Sequence, residues 1–118
     1  MKEQLITILE SFGYPVYLQG ALASPAAYPE SFFTFWVFAA PEDAFYDNEA
    51  NRCVWGFWVY FYSTDPVTVL EKSEQARQQL KQNGFTPDGK PVDLAVDVPG
   101  YTGMMFTVYK SEEYRNEA

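Results

Sequence analysis

Apolar residues at the start of the chain recur with helical spacing. Leu5, Ile8, Leu9 and Phe12 fall at i, i+3, i+4 and i+7, which lines one stripe of a short helix. Gly13 follows as a C-terminal stop, so residues 2–12 read as helix. The pattern then changes. Tyr14 to Gln19, YPVYLQ, reads as a short strand that Pro15 confines to a sheet edge or to the strand's first residues. Residues 20–31 set Gly20, Pro25 and Pro29 among alanines, a loop composition. Two dense apolar runs come next, FFTFWVF from Phe32 and CVWGFWVYFY from Cys53. Aromatic and β-branched residues dominate both, so residues 32–39 and 53–62 are predicted strands of an antiparallel hairpin joined by the acidic linker PEDAFYDNEANR.

The second run stops at Ser63. Asp65 then stands where a helix N-cap belongs, and Pro66 at the first helical position, where its fixed φ already suits a helix. Val69, Ala76 and Leu80 share one side, and Asn83-Gly84 ends the helix, predicted over 66–83. Further on, Pro87-Asp88-Gly89 reads as a turn. Val92, Leu94 and Val96 alternate with Asp93, Ala95 and Asp97, as in a solvated edge strand. Met104 to Tyr109 is a final strand, and SEEYRNEA a polar tail expected to fray.

The order α-β-β-β-α-β-β predicts an α+β fold: a mainly antiparallel sheet of about four to five strands with two helices packed on one face. Residues 1–110 form the single domain and 111–118 the tail. Two helices cover only one face. A strand with one wet side alternates apolar with polar residues, yet neither central run does. The two faces differ in their hydroxyls. Phe33, Phe35, Val37, Trp55, Phe57, Val59 and Phe61 carry none and are expected beneath the helices. Thr34, Trp36, Trp58, Tyr60 and Tyr62 share the opposite face, and amphipathic aromatics suit a surface that is wet in the monomer and buried on association. They are the candidate interface.

Composition sharpens this picture. The 118 residues are 47% hydrophobic, as in an ordinary globular domain, but 19% aromatic, more than a core of this size needs. Net charge is −8, from 16 acidic against 8 basic residues, and the basic residues are scattered singly. Phosphate-backbone binding is therefore disfavoured, and aromatic runs without interleaved cations read as core or protein interface rather than as a base-stacking platform. The lone cysteine, Cys53, has no internal disulfide partner. It is expected as a buried thiol in a reducing cytoplasm. Glu3, Gln4, Thr7 and Glu10 interrupt the N-terminal apolar pattern, unlike a signal peptide, and no apolar run approaches the ~20 residues of a membrane-spanning helix.

The chain contains no histidine, which excludes Ser-His-Asp, Cys-His and His-metal chemistry. Glu42, Asp43, Asp47 and Glu49 lack the spacing of a calcium loop. Asp93 and Asp97 are explained as the solvent face of an edge strand, and Gly100 and Gly103 as turn glycines without a phosphate-loop pattern. Cys53 has no neighbour in the strand to depress its pKa. No catalytic, metal or cofactor-binding residue is assigned, and the expectation is a non-enzyme without cofactor, membrane contact or small-molecule substrate. A small enzyme working through loop carboxylates such as Asp47 and Glu49 is the rival chemistry.

Five phrases, FGYPVYLQG, YPESFFTFW, FYDNE, FYSTDP and LKQNGF, in this order and at these spacings, resemble a group of small proteins from tailed phages and prophages of Gram-positive bacteria. These are encoded among the genes for head-to-tail joining and tail completion. The similarity runs from about Phe12 to Tyr109 and carries no catalytic motif. It implies a tail-completion or tail-terminator protein, a small α+β subunit that forms a ring at the head-proximal end of the tail tube and docks to the connector. Its partners are then further copies of itself and tail-tube or head-connector proteins. Its location is the virion, or the host cytoplasm during assembly. Val37, Phe38 and Met104 depart from the polar residues and the arginine that such chains often carry there. The alternative is a bacterial adaptor or homodimeric binding module that buries its aromatic sheet face in one permanent partner.

Overall fold

A computed structural model describes residues 2–18, 29–39, 52–96 and 99–113. The fold is α+β: helix α1 (Lys2–Glu10), strands β1 (Val16–Leu18), β2 (Ser31–Ala39) and β3 (Arg52–Ser63), helix α2 (Pro66–Gln82), then β4 (Thr86–Leu94) and β5 (Thr102–Glu113). The strands form one five-stranded sheet in the order β1-β2-β3-β5-β4. Every pairing is antiparallel except that of β1 with β2, which run parallel.

Both helices begin and end for local reasons. The α1 stripe buries Leu5 and Leu9, and the helix stops at Glu10. Gly13, at φ +90, turns the chain out, its N–H donating to the Glu10 carbonyl at 2.9 Å. At α2, the Asp65 carboxylate accepts from the Val67 N–H at 3.1 Å and from the Thr68 hydroxyl at 2.9 Å. This satisfies a backbone donor that the first turn would otherwise leave unpaired, and Pro66 has no N–H to satisfy. The helix closes at Asn83, and the Phe85 N–H bonds back to Leu80 at 3.0 Å.

Val69, Ser73, Ala76 and Leu80 face inward from α2. With Leu5 and Leu9 of α1 and Phe85 they cover Phe33, Phe35, Phe57, Val59, Phe61, Phe106 and Val108 of the sheet, all at most 4% exposed. Val37 and Trp55 pack against the margin of this core. The hydroxyl-free face therefore does lie beneath the helices. Phe33 and Phe61, cross-strand partners in register, bring their ring centroids to 4.6 Å at its centre.

The last third of the chain departs from the sequence pattern. Pro87-Asp88-Gly89 is not a turn between elements but part of β4, whose register against β5 shifts between Asp88 and Val92. Gly89 takes φ +83, the left-handed conformation that such irregularities require, and the Arg77 Nε–H donates to its carbonyl at 2.8 Å. The edge position of β4 is as expected, but its faces are not. Asp93 pairs with Met104 on the helix side, and Val92 and Leu94 pair with Met105 and Gly103 on the other. A groove left open between α2 and β4 keeps the helix side of the rim wet. The far side offers apolar neighbours. β5 also runs on to Glu113, into the segment expected as a frayed tail, because Arg52–Val54 of β3 present a pairing edge. The carboxylates Glu42, Asp43, Asp47 and Glu49, Asp97, and the Cys53 thiol lie outside the described residues.

Candidate functional site

The face opposite the helices is built by alternation along three central strands, with one register shift between Val37 and Ala39 of β2. In register, Trp36 pairs with Trp58, Thr34 with Tyr60 and Phe32 with Tyr62 across β2 and β3. Trp58, Tyr60 and Tyr62 pair in turn with Thr107, Met105 and Gly103 of β5. All five candidate residues thus share one surface. From Phe32 to Phe38, Val54 to Tyr62 and Gly103 to Ser111, no charged residue stands on it. The next strand, β4, adds the exposed Asp88 at the margin, in register with Thr107.

Its rings pack as two groups. Phe32 stacks on Tyr62 at 5.1 Å between centroids, and Tyr62 lies parallel to Tyr60 at 6.3 Å. Tyr17 and Tyr101 meet Phe32 edge-on, each at 6.2 Å, and the Tyr101 hydroxyl donates to the Pro29 carbonyl at 2.7 Å. The second group stacks Phe38 on Trp58 at 4.8 Å, with Tyr109 edge-on to Phe38 at 5.8 Å. Offset and edge-on geometries of this kind are the arrangements aromatic rings prefer. Gly103 makes the first group possible: a Cβ there would meet the Tyr62 ring at 2.8 Å and Val96 at 3.1 Å. It is a close-approach glycine, not a turn glycine.

Exposure divides the candidates. Trp36 is 45% and Trp58 37% exposed, and Tyr60 and Tyr62 are half-buried. Thr34 is only 5% exposed, which corrects the expectation that it is wet in the monomer. It lies in register between two larger residues, Tyr17 and Tyr60. Burial, and secondarily the neighbouring Tyr62, pushes the Tyr60 hydroxyl above the usual tyrosine pKa. Phe32 and Phe38 belong to this face too and were missed, because a search for hydroxyls passes over phenylalanine although the alternation from Trp36 reaches both.

Elsewhere the chemistry is sparse. Among the described residues no three Asp, Glu, Cys or His side chains come together as metal ligands. Asp93 is exposed, and Glu74 pairs with Arg77 at 3.0 Å on the outside of α2. No helix of the described residues is long and apolar enough to cross a membrane. No protein-family model matches the chain, and a search of curated proteins returns no match.

Proposed function

We propose that the chain is a non-enzymatic structural subunit of a tailed phage or prophage, acting in tail completion or head–tail joining as one member of a ring at the tail–head junction. On this reading the aromatic sheet face is the surface it buries in the particle. The observation that carries the proposal is the pairing of Trp36 with Trp58, 45% and 37% exposed, on a face whose first charged side chain beyond them, Asp88, stands on β4. Tryptophan and tyrosine in a desolvated patch are what dominates protein–protein binding energy. An apolar surface of this extent is rarely left without a partner on a soluble domain. The resemblance of five phrases across the chain supplies the kind of assembly.

The test is location. Particles purified from a strain that encodes the chain are expected to contain it at the head-proximal end of the tail, visible by immunolabelling in electron micrographs. The Tyr60→Glu chain is expected to be folded yet missing from them. A chain absent from particles, but bound through the same face to one cellular partner or to itself as a closed dimer, supports the adaptor reading instead.

A further inference from the structure

Asn83 and Gly84 close α2, and no other asparagine in the chain precedes a glycine. That pair carries its own chemistry. The Gly84 amide nitrogen, once it has lost its proton to hydroxide, can attack the Asn83 side-chain carbonyl carbon, because glycine has no side chain to shield it. A C–N bond forms, the bond to the amide nitrogen of the side chain breaks and ammonia leaves, which gives a five-membered succinimide. Water then opens either imide C–N bond and leaves aspartate or isoaspartate at position 83. Asn48, Asn51 and Asn116 precede Glu49, Arg52 and Glu117, whose side chains obstruct the same attack.

The fold engages both reacting groups. The Gly84 N–H donates to the Lys81 carbonyl at 3.2 Å and the Phe85 N–H to that of Leu80 at 3.0 Å, the two hydrogen bonds of a Schellman closure. The Asn83 side chain is turned back on the helix, its Nδ2 donating to the Gln79 carbonyl at 2.8 Å. Nucleophile and carboxamide are thus each tied to the helix end. Glycine cannot be exchanged away here, since position 84 has φ +95 and a Cβ would meet the Lys110 Nζ at 2.5 Å. Phe85, 2% exposed and with its ring centroid 6.2 Å from that of Phe57, anchors the closure in the core. We propose that Asn83 is a deamidation site gated by this cap: it reacts only while the last turn of α2 is open, and its products keep that turn from closing again. Both products lose the Nδ2 donor and set a carboxylate at the negative end of the helix dipole. Isoaspartate also adds a carbon to the main chain, so the bonds to Lys81 and Leu80 fall out of register. Phe85 is then loosened from the core in one direction, by a reaction that consumes only water.

The full chain is incubated at mildly alkaline pH, folded and in unfolding urea, and the peptide that holds Asn83 is followed by mass spectrometry. Amide exchange at Gly84 and Phe85 is followed by NMR. Deamidation of the folded chain is expected to be slower on the order of tenfold or more, the ratio being set by how seldom the helix end opens. Urea kept below the unfolding midpoint is expected to raise the deamidation rate and Gly84 exchange together. Phe85→Leu, checked for folding by circular dichroism, is expected to do the same without urea, and the urea series carries the test if that variant does not fold. The deamidated fraction, separated by its added negative charge, is expected to melt below the unaltered chain. Equal rates in the folded and unfolded chains, a Gly84 amide that exchanges unprotected, or a deamidation rate that stays flat while that exchange speeds up overturns the gate. A deamidated fraction that melts with the unaltered chain overturns the one-way loosening.

Discussion

Ser73 is fully buried on the inner side of α2, and its hydroxyl has no hydrogen-bond partner among the described residues. An unpaired buried hydroxyl costs about 1–3 kcal/mol in desolvation, and alanine is also the better helix former. Ser73→Ala is therefore expected to stabilise the fold by about 1 kcal/mol. A lower denaturation midpoint for the variant would show that the hydroxyl has a partner after all. Tyr60 makes a prediction of opposite kind. Its folded pKa lies above the ordinary 10.0, so between the two values the folded state holds a proton that the unfolded state has released. The associated stability is complete below that ordinary value and declines as pH rises through the folded pKa. Unfolding free energy is expected to fall more steeply at alkaline pH in the unaltered chain than in Tyr60→Phe. Equal slopes would mean that Tyr60 titrates alike in both states.

At the scale of elements, the helices and the central hairpin were legible because local chemistry alone specifies them. Asp65-Pro66 is the clearest case, and the cap forms as that pair of residues dictates. Asp65→Ala is expected to lower the unfolding free energy by about 1 kcal/mol, read from chemical denaturation, and an unchanged midpoint would mean that the cap contributes nothing. β4 was less legible. Its Pro-Asp-Gly reads locally as a turn, but the pairing with β5 and the Arg77 hydrogen bond to Gly89 are long-range contacts that no window of sequence contains. The parallel seat of β1 beside β2 is of the same kind, and it explains why Thr34 is already covered. Alternation did separate the two sheet faces, since parity along a strand is a local property. It gave the members of the candidate face but not their exposure.

For the whole molecule, the two faces of the sheet are expected to respond in opposite ways to the same charge. Phe57 is fully buried under the helices, and Phe57→Glu places an unpaired carboxylate in the core. That variant is expected to be unfolded by circular dichroism. Tyr60→Glu, on the open face, is expected to keep the native spectrum and a cooperative melt. If Tyr60→Glu melts as early as Phe57→Glu, the open face is part of the folding core and not a surface held for a partner.

If copies of the chain meet through the aromatic face, the net charge of −8 also fixes how they should respond to ionic strength. The Debye length shrinks from about 30 Å at 0.01 M salt to about 8 Å at 0.15 M. Added salt therefore screens the mutual repulsion of acidic copies while leaving contacts between rings and aliphatic groups in place. Self-association is expected to strengthen as sodium chloride is raised, measured as a falling dissociation constant. Weakening instead would point to an interface of charge pairs. On the proposed ring reading, the joining of such subunits would then follow the salt of their surroundings.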